Sequence, residues 1–425
     1  MAESLINNLP GTRDLLPEEL AGWHVVEDCA RRIFRQYGFL EIRTPIIEST
    51  ELFARGIGED TDIVGKEMYT FQDRGDRSVT LRPEATASVV RAYIQNTLYR
   101  ESGITKLCYF GPMFRYEKKQ KGRWRQFYQI GVEAFGSDHP ALDAEIIEMA
   151  LRLMDSLGVQ AKLLINSVGC RKCRTEYTKQ LRQILQSEID NLCDDCRRRA
   201  DTNCLRIFDC KIERCRPVIG KLPVIADNLC DECSGHFSSV KTYLDDAGIA
   251  YEIAPGLVRG LDYYVRTAFE IVSGDLGAQN AILGGGRYDG LSEVIGGPPV
   301  QAIGFAVGLD RLTMVLPEEK RESGMWKPDL FIAYKGDAAF QKALQTAREL
   351  RRRQQSCYLD FSAGSLKRQM RLANKIDAAH VLIIGDDELA RDSYTIKKME
   401  DSSQWEVTLE ELAQYLQAQG TQGKV

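Results

Sequence analysis

Cysteine is distributed very unevenly along this chain, and its distribution determines how the chain can be divided. Nine of the twelve cysteines lie between Cys170 and Cys233, where the C-x-x-C pairs CRKC, CDDC and CDEC occur. The same stretch is rich in Arg and Asp, whereas strand and helix patterns alternate on either side of it. We therefore expect a distinct, partly helical insertion over 170–235 that interrupts a larger domain.

Length and charge narrow the classes of protein to which the chain can belong. At 425 residues it is too long for one hydrophobic core, so two or three domains are expected. The net charge of −5 argues against a global cationic coat for nucleic acid, but not against local basic patches. The N-terminus resembles no signal peptide, and no apolar run could span a membrane. We expect a soluble, cytoplasmic protein with reduced thiols.

The segments around the insertion predict two further units. Strand and helix patterns over 1–169 and 236–320 predict one domain. Within it, residues 17–37 are predicted to form a helix, because their apolar side chains recur every three or four positions. The charged stretch 317–329 contains Pro and Gly and is interpreted as a linker. Beyond it, 328–425 alternates strand with helix, which predicts a small α/β domain with a mostly parallel or mixed sheet.

Two stretches look like nucleotide-binding loops, but neither has the required spacing. GEDTDIVGKE places its first Gly too far from the Gly-Lys pair, and Glu67 replaces the Ser or Thr that would hold magnesium in a P-loop. GGGRYDG lacks the G-x-G-x-x-G spacing of a dinucleotide fingerprint. If the protein binds ATP, we expect arginine side chains on an antiparallel sheet to hold it.

The stretch 114–133, FRYEKKQKGRWRQFYQIGVE, predicts a hairpin of two strands around a basic loop. Arg115 is suited to bidentate contact with a phosphate, and Phe127 is suited to stacking on a purine. Gln129 and Glu133 share the face of Phe127, because alternate residues of a strand point the same way. The other interpretation is a surface hairpin with a solvated charged tip, and the pattern alone leaves both open.

The stretch 257–271, LVRGLDYYVRTAFEI, reads as a strand with charges in unexpected places. A buried guanidinium must be paired, so Arg259 predicts a charged partner or ligand nearby. Asp262 is expected to be a buried carboxylate that orients its neighbours. Tyr263 and Tyr264 either pack in the core or line a pocket. Core packing is expected more for Tyr263 than for Tyr264.

Several of these motifs, in this order, resemble the class II aminoacyl-tRNA synthetases. YGFLEIRTPIIE with Pro45 is similar to motif 1, the hairpin is similar to motif 2, and AIGFAVGLDRL ending in Arg311 is similar to motif 3. RGLDYY, GGGRYDGL and LRPEAT resemble signatures of the histidyl-tRNA synthetase family. The resemblance extends from GTRDLLPEE near the start through the C-terminal domain.

The resemblance implies a fold, an activity and partners. The fold would be a class II catalytic core over 1–169 and 236–320, an antiparallel sheet flanked by helices, with a helical Cys-rich insertion over 170–235 and an anticodon-binding α/β domain over 328–425. The activity would be ATP-dependent activation of L-histidine to histidyl-adenylate, followed by transfer to tRNA(His), with ATP and Mg²⁺ as substrate. Motif 1 implies a homodimer.

The resemblance also implies a role for individual residues. Arg259 and Arg115 would be catalytic, holding the α-phosphate of ATP and the carboxylate of histidine. The residues implied to bind histidine are Glu84, Thr86, Arg115, Gln129, Glu133, Arg259, Tyr263, Tyr264 and Tyr288. The residues implied to bind ATP are Arg115, Glu117, Arg123, Phe127 and Arg311.

The cysteines of the insertion leave two interpretations open. Two C-x-x-C pairs suffice for a tetrahedral zinc site, and the candidate ligands are Cys170, Cys173, Cys193, Cys196, Cys230 and Cys233. The resembled family is not generally known for zinc, so we favour a reduced, Cys-rich helical insertion over structural Zn²⁺. The basic run at 196–199 either contacts phosphates or forms a solvated face.

Two rival functions follow from the same features. The nearer is the non-catalytic, synthetase-like regulatory subunit of ATP phosphoribosyltransferase, which typically lacks the C-terminal domain and has degraded signatures. The other is a zinc-dependent nucleic-acid-binding module whose insertion carries the function. It leaves the arginines of the hairpin and of the third motif unexplained.

Overall fold

The computed structural model describes residues 5–58, 61–117, 122–276, 280–362 and 364–420. These residues fall into two compact units, 1–324 and 325–425. The helices are α1 (Pro17–Gln36), α2 (Thr50–Ile57), α3 (Thr86–Gln95), α4 (Pro140–Ser156), α5 (Arg171–Ser187), α6 (Asp194–Thr202), α7 (Arg216–Ile219), α8 (Asp231–Asp246), α9 (Leu291–Val294), α10 (Leu309–Met314), α11 (Glu318–Ser323), α12 (Asp337–Arg352), α13 (Leu366–Lys375), α14 (Asp386–Arg391) and α15 (Leu409–Gly420). The strands are β1 (Leu40–Glu41), β2 (Ile47–Ser49), β3 (Tyr69–Gln72), β4 (Ser78–Leu81), β5 (Thr105–Phe114), β6 (Gln126–Phe135), β7 (Lys162–Ser167), β8 (Glu252–Ile253), β9 (Val265–Val272), β10 (Ala281–Arg287), β11 (Ala302–Gly308), β12 (Leu330–Tyr334), β13 (Cys357–Leu359), β14 (His380–Ile384), β15 (Tyr394–Lys398) and β16 (Gln404–Val407).

An eight-stranded sheet forms the centre of the first unit, in the order β1-β5-β6-β11-β10-β9-β7-β8. The six inner strands pair antiparallel throughout, and β1 and β8 add a parallel partner at each edge. A second, three-stranded sheet has the order β2-β4-β3. The structure therefore confirms the predicted antiparallel sheet flanked by helices.

Helix α1 illustrates why one face of the large sheet is covered. Pro17 occupies its first turn, where a missing N–H costs nothing, and Gly38 ends the helix with a left-handed φ of +82°. Its buried side chains, among them Trp23, Ile33 and Phe34, join one core with α4 and the strands. Burial of a side chain such as Phe34 contributes about 1.5–3 kcal/mol.

A buried ion pair joins α4 to the end of β10. Arg287 and Asp143 are both 0% exposed, and Arg287 Nη2 lies 2.7 Å from Asp143 Oδ2. His236 of α8 lies on the same carboxylate, with Nε2 3.0 Å from Asp143 Oδ1. Within the GGGRYDGL signature, the arginine is thus a structural link between helix and strand.

The second unit contains a mixed five-stranded sheet in the order β13-β12-β14-β15-β16. Strands β13, β12 and β14 are parallel, whereas β15 and β16 pair antiparallel. This confirms the predicted α/β domain with a mixed sheet. No helix among the described residues is long and apolar enough to cross a lipid bilayer.

Two predictions of local structure need correction. Residues 257–264 form an irregular loop, and the strand begins only at Val265. The predicted linker 317–329 contains a helix, α11, and the two units divide after Gly324. The stretch around Pro45 forms two short strands, β1 and β2, on either side of the proline, because proline cannot donate to a ladder.

Candidate active site

A cavity of about 940 Å³ opens on the face of the large sheet. Strand β6, the loop 257–264, strand β10 and the start of α10 line it, and the insertion contributes one wall. Of the residues predicted to bind histidine or ATP, those that line it are Glu84, Thr86, Arg115, Glu117, Arg123, Phe127, Gln129, Arg259, Tyr263, Tyr264 and Arg311. The antiparallel sheet brings together residues that are up to 227 positions apart in the sequence, from Glu84 to Arg311.

The hairpin β5–β6 supplies an arginine and an aromatic ring side by side. Arg115 Nε donates to Pro83 O at 2.8 Å, and its guanidinium lies 5.3 Å from the centroid of the Phe127 ring. These contacts fix one edge of the guanidinium and leave its terminal nitrogens directed to the cavity that Arg115 lines. The predicted basic tip of the hairpin, 118–121, lies outside the described residues.

Two further arginines give the adjoining part of the cavity a positive charge. Arg123 Nη1 pairs with Glu117 Oε2 at 2.5 Å, so these two predicted ATP-binding residues hold each other in this structure. Burial, and after it the neighbouring charge of Arg123, lowers the pKa of the Arg311 guanidinium. Cations that repel each other in a partly buried site favour an anionic ligand such as a polyphosphate.

Arg259 extends from the loop 257–264, and no strand carries it. Its guanidinium pairs with Glu270 of β9 and lies 5.6 Å from the centroid of the Tyr264 ring. A Cβ on Gly284 would lie 2.1 Å from Arg259 Nη2, so only glycine leaves room for this guanidinium. A carboxylate on one side and a backbone without side chain on the other therefore set the position of Arg259.

A group of uncharged and acidic acceptors lies at the other end of the cavity. The Glu84 carboxylate accepts the backbone N–H groups of Thr86 at 2.7 Å and Ala87 at 2.9 Å, at the start of α3. Gln129 Oε1 is buried and has no hydrogen-bond partner among the described residues. A buried amide oxygen without a partner is costly, and it is suited to accept a hydrogen bond from a ligand ammonium group.

Glu133 and Tyr288 lie behind the cavity wall, although both were predicted to contact histidine. Thr86 Oγ1 donates to Glu133 Oε1 at 2.7 Å, and the Tyr288 hydroxyl donates to Glu133 Oε2. Both residues are at most 2% exposed. Burial raises the pKa of Glu133 to about 8. In this structure Glu133 thus supports Thr86 and Tyr288 from behind the residues that line the cavity.

The tyrosines form a packed group beside this carboxylate. The rings of Tyr263 and Tyr264 lie 4.8 Å apart, and Tyr263 lies 5.7 Å from Tyr288. The two interpretations of Tyr263 hold together, since it packs on aromatic rings and lines the cavity. Asp262 is exposed, against the prediction of burial, and accepts a hydrogen bond from Asn203 of the insertion at 2.6 Å.

The insertion reaches the loop 257–264 through polar side chains. Arg206 Nη1 donates to Gly260 O at 2.6 Å, and Arg199 Nη2 pairs with Asp62 Oδ2 at 3.0 Å. Arg197 and Arg198 of the basic run bond to the insertion itself, through Ile189 O and Asp195. Intramolecular partners thus occupy each arginine of the run 197–199.

The cysteines of the insertion form two groups of four. The first group is Cys170, Cys173, Cys230 and Cys233, and the second is Cys193, Cys196, Cys210 and Cys215. Each of the six candidate metal ligands therefore lies in one of the two groups. The second group also contains Cys210 and Cys215, which the C-x-x-C pairs alone did not identify. Their C-x₄-C spacing was the available signal.

Two other residues of the cavity escaped the sequence analysis. Glu270 pairs with Arg259, and Tyr109 of β5 lines the wall near Glu84 and Thr86. A lone acid within the apolar strand VRTAFEIV was a usable signal for Glu270. A tyrosine in an apolar strand gave no such signal, because strands commonly contain aromatic residues.

Comparison with known proteins accounts for both units. The family model described as histidyl-tRNA synthetase matches residues 11–312, and the model described as anticodon binding domain matches residues 329–419. A histidine–tRNA ligase from Solibacter usitatus is 51% identical over 416 residues, which cover 97% of this chain and 99% of the relative. One from Desulforamulus reducens is 49% identical over 410 residues, covering 96% and 98%. The apo structure of a histidyl-tRNA synthetase from S. aureus matches with a TM-score of 0.81 at 38% identity, covering 97% of this chain and 100% of that one.

Proposed function

From the premise that the chain belongs to the histidyl-tRNA synthetase family, we infer its activity and propose the residues that perform it. The protein activates L-histidine with ATP to form histidyl-adenylate, and it transfers the histidyl group to tRNA(His). The observation that supports this activity in the structure is the convergence of Arg115, Arg259 and Arg311 on one cavity.

The chemistry explains why the site needs cations on more than one side. A carboxylate oxygen of histidine attacks the α-phosphorus of ATP, the new C–O–P bond forms, and pyrophosphate leaves. Negative charge on the phosphate oxygens must be stabilised in the transition state, and fixed guanidinium groups contribute to that stabilisation by electrostatic attraction. A terminal ribose hydroxyl of the tRNA then attacks the carbonyl carbon, and AMP leaves.

We propose that Arg115 and Arg259 are the catalytic residues. The proposal is supported by the convergence of both guanidinium groups on one cavity, each held by a protein acceptor. Glu270 holds Arg259 before substrate arrives, and an α-phosphate oxygen competes for the same guanidinium. Arg123, Glu117, Phe127 and Arg311 line the proposed binding region of ATP, which binds as its Mg²⁺ complex.

The proposed histidine site is the end of the cavity around Thr86 and Gln129. Glu84 and Gln129 offer acceptors to the ammonium group, while Tyr263 and Tyr264 enclose the side chain. Glu133 and Tyr288 select the imidazole, and Glu133 has acceptor positions beyond its two bonds with Thr86 and Tyr288. A site whose polar groups pair with both ring nitrogens rejects apolar side chains of similar size by about 10⁴-fold.

We also propose the domain boundaries, the oligomeric state and the location. Residues 1–169 and 236–320 form the catalytic core, 170–235 the insertion, and 328–425 bind the anticodon. The enzyme works as a homodimer in the cytoplasm. The dimer is supported by exposed apolar side chains in and next to motif 1, such as Ile46 at 41% and Ile47 at 51%.

Histidine-dependent exchange between ATP and pyrophosphate tests the activity and the role of Arg259. We expect strong exchange for the wild type, and a loss of at least 10²–10³-fold for Arg259→Ala, which is about 3–4 kcal/mol of barrier. Arg55→Ala serves as the control, because the contact of Arg55 among the described residues is a surface ion pair with Glu51. Circular dichroism checks that both variants fold.

The rival regulatory subunit predicts a different outcome. That rival has less support, since curated ligases match nearly the whole chain, including the C-terminal unit. It predicts no exchange with histidine in the wild type. If exchange survives in Arg259→Ala, the proposed activity stands, but the proposed role of Arg259 is refuted.

A further inference from the structure

Eight cysteines of the insertion lie in two groups that the proposed reaction does not use. We name Cys170, Cys173, Cys230 and Cys233 the stem group, because they lie where the chain enters and leaves the insertion. We name Cys193, Cys196, Cys210 and Cys215 the inner group. Within each group all four Sγ atoms lie within 4.8 Å of one another.

The sulfur positions match the ligand shell of a single tetrahedral metal ion. A Zn–S distance of about 2.3 Å places the sulfurs of such a shell about 3.8 Å apart. Cys170 Sγ lies 3.6 Å from Cys173 Sγ and 3.9 Å from Cys230 Sγ. In the inner group, Cys193 Sγ and Cys210 Sγ are 3.9 Å apart.

Backbone groups around both sites are arranged to stabilise thiolates. The N–H of Cys230 donates to Cys173 Sγ, and the N–H of Cys193 donates to Cys215 Sγ, each at 3.2 Å. Cys170, Cys193 and Cys230 each stand at the N-cap of a helix, α5, α6 and α8. The N-terminal ends of helices favour negative charge, and metal-bound thiolates are commonly held by such N–H donors.

The small core of the insertion gives these sites a structural purpose. Its buried cluster contains apolar side chains such as Tyr177, Leu181 and Ile207, and also Cys196, Cys204 and Cys215. A unit of this size rarely has enough apolar area for stability, and metals or disulfides commonly add what is missing. The sulfurs of all described cysteines are free of disulfides.

We propose that the stem group and the inner group each bind one structural Zn²⁺ through four thiolates. The stem ion joins the ends of the insertion next to β7 and α8. The inner ion fixes the segment that carries Asn203 and Arg206 onto the loop 257–264, and this second role rests on the proposed function. Four thiolates leave no open position on the metal, so both ions are structural. A two-iron cluster divides its thiolates between two metals and would separate the sulfurs further than the groups allow.

Metal analysis of the full-length protein, purified without chelator under reducing conditions, tests the proposal. We expect two zinc ions per chain for the wild type, one for each group. Cys170→Ser/Cys230→Ser and Cys193→Ser/Cys210→Ser should each retain one. Cys204→Ser is the matched control, since Cys204 is a buried thiol of the insertion outside both groups, and it should retain two.

A second measurement, on the wild type, tests the proposal even if the paired variants fail to fold. An organomercurial titrated into the wild type should release zinc as the eight clustered thiols react, and a chromogenic chelator records the release. A reduced wild-type protein without zinc, or with iron in its place, would overturn the proposal. Equal zinc in the paired variants and the Cys204→Ser control would do so too. Metal content is measured without substrate. A failure of the zinc proposal is therefore distinguishable from a failure of the proposed function, which histidine-dependent exchange tests.

Discussion

At the scale of single residues, the site depends on positions where a larger side chain has no space. A Cβ on Gly304 of β11 would lie 1.9 Å from Glu133 Oε2 and 2.3 Å from Val132 O. Gly304 thus allows β11 to pass the buried carboxylate, as Gly284 allows β10 to pass Arg259. Close approach to a site residue thus explains both Gly284 and Gly304.

The substitution Gly304→Ala should therefore destabilise the protein. Overpacking against a backbone carbonyl and a buried carboxylate costs about 1–3 kcal/mol of unfolding free energy. Gly308→Ala on the same strand is the control, because its Cβ would lie 3.6 Å from the flexible Arg311 side chain. Urea unfolding of both variants makes the comparison. Equal stability of the two would show that β11 can shift to admit the methyl group.

Because the pKa of Glu133 is raised, the free energy of unfolding is expected to fall as the pH rises. Burial raises its pKa from 4.5 to about 8, so the folded state retains the proton to higher pH than the unfolded state. The stabilisation is fully present below about pH 4.5 and is lost as the pH rises through about 8. Relative to Glu133→Gln, which cannot ionise, the wild type should lose about 1 kcal/mol per pH unit across that window.

Urea unfolding at several pH values measures this difference. Groups that titrate in both proteins cancel in the comparison of wild type with Glu133→Gln. Glu51→Gln on the surface of α2 controls for the substitution itself. If the unfolding free energies of wild type and Glu133→Gln run parallel from pH 5 to 8, Glu133 is already ionised in the folded protein, and the assigned pKa is wrong.

How far the sequence predicts such residues depends on the range of their contacts. Arg259 could be singled out because its charge interrupts an apolar pattern, and a buried charge needs a reason. Arg115 was found through the predicted hairpin, and Arg311 through the resemblance to motif 3. The placement of Glu133 behind Thr86 could not be foreseen, since it depends on hydroxyl partners 47 and 155 positions away. Local patterns identify unusual residues, and their partners require the fold.

At the scale of secondary-structure elements, local hairpins are predictable and sheet order is not. The β5–β6 hairpin follows from alternation around a basic loop, and α1 and α4 follow from apolar spacing. The placement of β11 between β6 and β10 joins strands far apart in the chain, and no local pattern encodes it. Arg259 was placed on a strand because apolar residues surround it, but Gly260 and a turn at 262–263 make that segment a loop.

The contact between the insertion and this loop predicts a positioning role for Arg206. Arg206 fixes the carbonyl of Gly260, the residue next to the proposed catalytic Arg259. Arg206→Ala should lower the rate of histidine-dependent exchange by about 10–100-fold, because small displacements of a reacting group are costly. Its thermal stability should remain close to that of the wild type, since Arg206 loses one hydrogen bond and a partly exposed ion pair with Asp209, and such contacts contribute little.

Arg214→Ala provides the matched control for this experiment. Arg214 is an exposed arginine of the insertion, and it donates to Asp190 O within the insertion. Exchange kinetics at varied histidine and ATP concentrations compare the two variants with the wild type. Equal rates for all three proteins would mean that the insertion does not position the loop.

At the scale of the whole molecule, the proposed dimer accounts for an apolar face of the small sheet. Register places Ile47, Leu81 and Tyr69 side by side, and Val79 and Phe71 continue the same face. Ile47 is 51% and Phe71 45% exposed. A cluster of exposed apolar side chains on a short sheet is typical of a surface that another chain covers.

The substitution Ile47→Glu should therefore convert the homodimer into a monomer. A carboxylate buried in an apolar contact has no partner for its charge, and the two-fold symmetry of a homodimer would introduce it twice. Ile253→Glu is the control, because Ile253 is a comparably exposed isoleucine, at 44%, on β8, an edge strand of the large sheet. Light scattering coupled to size-exclusion chromatography gives the mass of each protein. We expect twice the chain mass for the wild type and Ile253→Glu and a single chain mass for Ile47→Glu, with unchanged circular dichroism. A dimeric Ile47→Glu would place the interface elsewhere, and a monomeric wild type would refute the dimer itself.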